Sequence, residues 1–380
     1  MAGPAQSARE RAAPAGARPV ACRAVQPVKL GSNQPRQFYR GGAAIAAFRG
    51  TASEDPFRPE DWVASATPRF GMSEDGLSKL PGDGYVRDAV ERDPEAWLGP
   101  EHVAYFGASP ALLVKLLDAG ERLPVHAHPP RSFARAHLGS RHGKTENWVI
   151  IGTKGAEPVV YLGWVRDLAA GELTRWVAEQ DTKAMLANLN QLVIAPGDAV
   201  LVPAGTPHAI GEGVFCVELQ EPTDFSVMLE LEGFDLDPSS GELGLGRELA
   251  LSCVRHDAIG ASGLDQLVRR ATGRREQSGA TPIVEDALAE PAAPYFRAQR
   301  VRPGNAEARL EPSFAVAVVL AGAGALAGKD WQVDISAGQT WVVPWGAGTT
   351  TATGEVEFLR CLPPLPTDAK RDDPGAAAAT

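Results

Sequence analysis

The chain of 380 residues is long enough for two domains of ordinary size, and its 44% hydrophobic and 22% charged content is that of a soluble globular protein. A formal net charge of -10 offers no nucleic-acid footprint, and no run of about 18 apolar residues offers a membrane span. The four cysteines, Cys22, Cys216, Cys253 and Cys361, stand far apart without C-x-x-C spacing, so no disulfide scaffold is expected and a reducing, cytoplasmic setting fits.

Residues 1–29 are rich in Ala, Pro and Arg and read as a disordered extension, a composition shared with transit peptides but lacking a secretory apolar core. The mostly apolar run at 110–119, PALLVKLLDA, reads as a buried strand or a helix, because periodicity does not separate the two. Lys115 lies inside it and needs a charge partner if buried. Short apolar or alternating runs follow at 148–152, 159–165, 191–194, 199–202 and 214–219, each closed by Gly, Pro or polar residues. That succession is the pattern of a β-barrel or sandwich, and 40 glycines and 31 prolines suit its turns. Residues 241–280 change character and read as a helical insert or linker. Strand-like runs resume at 314–320 and 340–343, and the tail at 366–380 reads as disordered.

One frame occurs twice. Gly197, Pro203, Gly205 and His208 form G-x5-P-x-G-x2-H, and Gly338, Pro344, Gly346 and Thr349 repeat it with Thr in place of His. Each copy reads as turn, strand, turn. The repetition implies two similar β-barrel domains, at 30–240 and 281–365. No histidine follows His256, so the second is expected to be metal-free and structural.

The first half carries a candidate metal set. His126 and His128 lie two apart, which on a strand points both imidazoles to one face. Glu146 and His208 follow. Three imidazoles and a carboxylate suit Zn²⁺, Mn²⁺, Fe²⁺, Co²⁺ or Ni²⁺. Glu146 rests less firmly on spacing than the histidines. His102, His137, His142 and His256 read as surface or core residues. Trp62 and Trp148 read either as walls against a sugar ring or as core tryptophans.

The frame from Gly197 to His208 resembles the second sequence motif of the cupin superfamily. A longer series resembles the type I mannose-6-phosphate isomerases: RGGAAIAAFRG and PEDWVASA within 40–66, LLVKLLDAGERLPVHAHP at 112–129, GKTENWVII at 143–151, LVPAGTPHAIGEG at 201–213 and VELQEPTD at 217–224. The resemblance spans about residues 30–230, and the second barrel more weakly. It implies a mainly β fold of two cupin (jelly-roll) barrels with a helical insert, and one divalent ion, zinc first. His128, Glu146 and His208 match the family's ligands directly, and His126 stands where the family has glutamine. It further implies functional roles for Lys115, Lys144 and Glu218, and a substrate-facing Asp224. The arginine that the family carries shortly after Asp224 is missing, and Met228 stands near its place. Arg131, Arg135 or Arg141 is the expected replacement, with Arg131 foremost, since a guanidinium gives paired hydrogen bonds to a phosphate.

The reaction so implied is an aldose–ketose isomerisation through an enediol, by default mannose 6-phosphate to fructose 6-phosphate. A cupin dioxygenase or decarboxylase and a non-catalytic sugar-binding cupin are the alternatives. The partner is a small sugar or sugar phosphate, and the sequence leaves the oligomeric state open.

Overall fold

In a strand, alternate side chains face opposite ways, so a segment apolar on both faces must be covered on both sides. The computed structural model, which describes residues 25–82, 84–155, 158–237, 239–271 and 281–370, meets this demand by stacking sheets. The run whose type was undecided is the strand Leu113–Asp118, with every residue buried. It pairs with Glu60–Val63 on one side and Val214–Gln220 on the other. Beyond Val214–Gln220 come Glu146–Thr153, Ala199–Val202 and Val268–Arg269, completing six strands. A second sheet runs Val227–Met228, His126–Ala127, His208–Ile210, Val159–Trp164, Leu189–Val193.

Leu117, Trp148, Ile150, Val200 and Cys216 from the first sheet pack with Val160, Leu162 and Ile210 from the second. The opposite face of the first sheet, with Val114, Leu116, Val149 and Val217, packs with Leu30, Val316, Val318, Val342 and Leu359 of the C-terminal half. Two-sided burial therefore follows from one strand set serving two cores. The C-terminal strands, centred on Ala315–Ala327, form a third sheet with their own inner cluster around Leu310, Ala317, Val319 and Phe358.

The repeated frame has a repeated shape. Gly197 and Gly338 both hold a positive φ, +100° and +83°, immediately before Ala199–Val202 and Thr340–Val343. A Cβ at Gly338 would also meet the Phe48 carbonyl oxygen at 2.1 Å.

Three sequence expectations need amendment. Residues 28–29 belong to the strand Val28–Leu30, which pairs with Thr340–Val343, while the rest of the expected extension up to residue 24 lies outside the described residues. A three-residue strand has too short a pattern to be read beforehand. The expected disordered tail starts with the helix Pro366–Ala369, whose Ala369 is buried with Phe106 and Ala111; residues 371–380 lie outside the described ones. Helix is not confined to the expected 241–280 insert: Ala43–Arg49, Val86–Arg92, Pro94–Leu98, Pro100–Phe106, Arg131–His137, Glu172–Glu179 and Thr182–Ala187 are helical as well. Within the insert, Arg247–Leu251 and Ala261–Leu267 are helices, and residues 272–280 lie outside the described ones.

Among the described residues no helix is long and apolar enough to cross a membrane, and Cys216, Cys253 and Cys361 are buried free thiols. Because Leu116 sits in the core shared by both halves, Leu116→Ala is expected to destabilise the protein by roughly 2–5 kcal/mol. Denaturant unfolding followed by tryptophan fluorescence and circular dichroism should shift as one transition; two transitions, only one of them moved, would contradict a shared core.

Candidate metal centre and active site

The sheet register assembles the site. Across the six-stranded sheet Trp62 lies opposite Lys115, Lys115 opposite Glu218, and Glu218 opposite Trp148. Directly opposed residues share a face, so these four form one row. Glu60 and Glu146, each two residues before its tryptophan, lie on that same face. The indole of Trp62 donates to Glu60 Oε2 at 2.7 Å and that of Trp148 to Glu146 Oε1 at 3.1 Å. From the facing sheet, His126 pairs in register with His208. The short His126–Ala127 strand is tied down at Val125, whose N–H donates to Glu230 Oε2 at 2.8 Å, and Glu230 is itself clamped by Arg122.

His126, His128 and His208 are buried, with ligand atoms within 4.8 Å of one another. Each Nδ1 lies 2.8 Å from a backbone carbonyl: Pro124 for His126, Phe225 for His128 and Thr206 for His208. A carbonyl only accepts, so each Nδ1 carries hydrogen and each Nε2 is left with a lone pair, as in a metal-ligating histidine. Burial lowers the His126 pKa well below its ordinary value and that of His128 to about 3, which keeps both Nε2 atoms bare.

Glu146 Oε2 is 3.0 Å from His128 Nε2, and Oε1 is 3.2 Å from His208 Nε2. Burial favours the neutral acid, but the Lys144 ammonium, 3.5 Å from Oε2, favours the carboxylate, and the Glu146 carboxyl lies well below its ordinary range. Lone pairs thus face lone pairs at the separation of roughly 3 Å expected for donors sharing one cation at about 2.0–2.1 Å from each. His208 Nε2 and Glu146 Oε2 are buried without a hydrogen-bond partner. The donor set fits a divalent metal ion.

Beside this set lies a cavity of about 210 Å³ whose lining includes His126, Lys144, Glu146, Lys115, Glu218 and Asp224. Lys144 Nζ is 3.1 Å from His128 Nε2 and 3.5 Å from Glu146 Oε2. Lys115 Nζ lies 3.2 Å from Glu60 Oε2 and 3.4 Å from Glu218 Oε2, and 4.6 Å from the Trp62 ring centre. Although burial opposes its charge, Glu60 and Glu218 raise the Lys115 pKa above its ordinary value. Burial pushes the Glu218 carboxyl up to about 8, with Lys115 opposing and Glu146 adding to the rise. Asp224 accepts from the Phe70 N–H at 3.1 Å, and burial raises its pKa as well.

Two expected substrate contacts are placed elsewhere. Arg131 is turned to Glu221, with Nε 2.6 Å from Oε1, and stacks 4.5 Å over Tyr295; it does not line the cavity. Glu221, directly after the strand Val214–Gln220, is a buried carboxylate that needs an opposite charge beside it. Trp62 is fully buried beneath Lys115 and supports the floor without forming a wall. Sequence reasoning missed Glu60, Tyr39, Gln37 and Arg69. Tyr39 donates to Glu60 Oε1 at 2.5 Å and Gln37 to Glu60 Oε2 at 3.0 Å. The signal for Glu60 was present: Glu60-Asp61-Trp62 repeats the Glu-x-Trp spacing of Glu146-Asn147-Trp148.

No family model matches the chain. Mannose-6-phosphate isomerase ManA of Bacillus subtilis is 28% identical over 324 residues, 84% of this chain and 93% of the relative. The probable mannose-6-phosphate isomerase GmuF of the same organism is 26% identical over 321 residues, again 84% of this chain and 94% of the relative. The chain is thus similar, over most of its length, to curated mannose-6-phosphate isomerases. The crystal structure of the Bacillus subtilis mannose 6-phosphate isomerase superposes with a TM-score of 0.65 at 21% identity, covering 89% of this chain and 99% of that one. A solved mannose 6-phosphate isomerase bound with zinc and yttrium superposes with a TM-score of 0.64 at 16% identity over 90% of this chain and all of that one. The mainly β, cupin-type fold expected from the sequence is the fold of these structures.

His126→Ala and His208→Ala are each expected to abolish retention of a stoichiometric divalent ion through dialysis, while His256→Ala retains it. Metal content by mass spectrometry decides; retention in both site variants would move the metal elsewhere.

Proposed function

We propose that the protein is a metal-dependent aldose–ketose isomerase acting on a sugar phosphate, with mannose 6-phosphate and fructose 6-phosphate as the substrate pair. The observation that carries this reading is a cavity that places a buried carboxyl, Glu218, 3.4 Å from Lys115 Nζ and beside the metal donor set. A general base works best when its pKa lies near the working pH. The homology to mannose-6-phosphate isomerases supports the same reading.

His126, His128, Glu146 and His208 would hold the ion, and zinc is the first choice because three imidazoles and one carboxylate suit it. When bound, the ion supplies electrophilic stabilisation of negative charge on the sugar oxygens. Glu218, as carboxylate, takes the proton from C2 of the open-chain aldose, and the same carboxyl returns a proton to C1 of the enediol. A second proton passes from the C2 hydroxyl to the C1 oxygen, so that aldose and ketose remain isomers. Lys115, fixed between Glu60 and Glu218, positions the carboxyl and stabilises its ionised form. Lys144 places an ammonium beside the donor set, where it can hydrogen-bond a sugar oxygen. Asp224 contributes at the rim through its hold on Phe70.

Met228 lines the cavity where a cation would serve a phosphate, which makes unphosphorylated mannose the second substrate to try. In a coupled assay with zinc-, manganese- or cobalt-loaded protein, mannose 6-phosphate should be turned over. Glu218→Gln should lower kcat by roughly 10²–10⁴ while metal content holds. Lys115→Met should lower it as well. Wild-type inactivity on both mannose 6-phosphate and mannose, with metal bound, would sink the proposal.

A further inference from the structure

We propose that Arg69, at the mouth of the cavity, is the residue that holds the substrate's phosphate and sets the preference for phosphorylated sugars. This rests on the isomerase reading above. The chemistry takes place at C1 and C2, so those atoms lie at the buried floor beside Glu218 and the metal donors. A phosphate on C6 is at the opposite end of the same chain of carbons and must project toward the rim.

The floor has no spare cation for it. Lys115 is engaged by Glu60 and Glu218, and Lys144 by Glu146. Arg122 forks onto Glu230, and Arg131 is committed to Glu221. Among the described residues that line the cavity, Arg69 is the one guanidinium, and its side chain is 26% exposed where Lys115 is 2%.

Its present partners occupy only part of its fork. Nη1 donates to Asp75 Oδ2 at 3.1 Å and to the Arg36 carbonyl at 3.0 Å, and Nη2 reaches Gln37 Oε1 at 3.5 Å. Asp75 is 45% exposed, so its ion pair is screened and weak, and a phosphate dianion can displace or share it. Nε–H and the rest of Nη2 make no other hydrogen bond among the described residues, which leaves donors for an anion in the paired geometry that suits phosphate.

The rim is also built to hold Arg69 in place. The Arg69 N–H donates to the Asp75 carbonyl at 2.7 Å, closing a turn. The next residue, Phe70, is anchored by its N–H to Asp224 and by its ring against Phe225, with centres 5.6 Å apart. Gln37 links the rim to the floor, since its Nε2 donates to Glu60 Oε2 while its Oε1 faces Arg69. The guanidinium is thus tied to the reacting end through Gln37, Glu60 and Lys115.

The test uses the full, metal-loaded chain and its Arg69→Ala and Arg69→Lys variants, with fructose 6-phosphate and fructose as probes, in calorimetric titration and in the coupled assay. Arg69→Ala should raise the Kd and KM for fructose 6-phosphate by about 10- to 100-fold, the worth of one or two charge-assisted hydrogen bonds, with a much smaller change in kcat. Arg69→Lys should recover part of that loss, and binding of fructose should not move. Wild-type affinity for fructose 6-phosphate in Arg69→Ala overturns the proposal while leaving the isomerase reading intact. An equal loss for both sugars overturns it in favour of a structural role for the turn. If the wild-type protein neither binds nor converts any sugar phosphate, the isomerase reading fails first, and the assignment of Arg69 falls with it.

Discussion

An ammonium group cannot be buried in a protein interior unless opposite charge comes with it. Lys115, 2% exposed in the middle of a fully buried strand, is the point where this chain meets that constraint. Glu60 and Glu218 arrive from the two neighbouring strands because the register places Trp62 and Glu218 directly opposite Lys115. The demand then spreads. Glu60 is satisfied by Tyr39, Gln37 and the Trp62 indole, and Glu218 keeps Lys115 Nζ 3.4 Å from its Oε2 while burial pushes its carboxyl up to about 8. A lysine that interrupts an apolar run therefore fixes a carboxyl on each side of it, and its charge favours the ionised form of Glu218 against burial.

The metal donors obey a parallel logic on the facing sheet. Three backbone carbonyls fix the imidazole tautomers, and burial favours the neutral ring at His126 and His128. The ligand side of each ring then faces Glu146, which shares its face of the sheet with Glu218. The two sheets must stack for hydrophobic reasons, through Trp148, Ile150, Leu162 and Ile210. Stacking brings Lys115, Glu218, Glu146, His126 and His208 together from strands, and the adjoining loops add His128 and Lys144. The C-terminal strands cover the outer face of the same six strands.

Much of this was legible in the sequence where pattern and chemistry coincide. The H-x-H pair and His208 marked three histidines that the fold brings together, and the repeated glycine–proline frame marked two turns of like shape, because turn geometry and strand alternation leave direct marks on residue type. Residues whose role depends on register were harder. Glu60 looked like any acidic residue before a tryptophan until strand pairing set it against Lys115. Arg131 lay close to the ligands in sequence, yet Arg131–His137 is a helix that carries it to Glu221. Arg69, nearly sixty residues before His126, reaches the cavity only because a turn folds back onto Asp224 and Phe225. Proximity along the chain predicts contact within a strand pair; it says little about what a loop brings back from a distance.

The most direct measurement is proton NMR of fructose 6-phosphate incubated in D₂O with the metal-replete protein. Mannose 6-phosphate carrying solvent deuterium at C2 is the expected product, because a carboxyl that shuttles the proton can exchange it with solvent, and Glu218→Gln should form it far more slowly. Fructose 6-phosphate recovered unchanged and unlabelled, with the metal bound at one equivalent, would contradict the assignment of Glu218 as the proton carrier and of the cavity as an isomerase site.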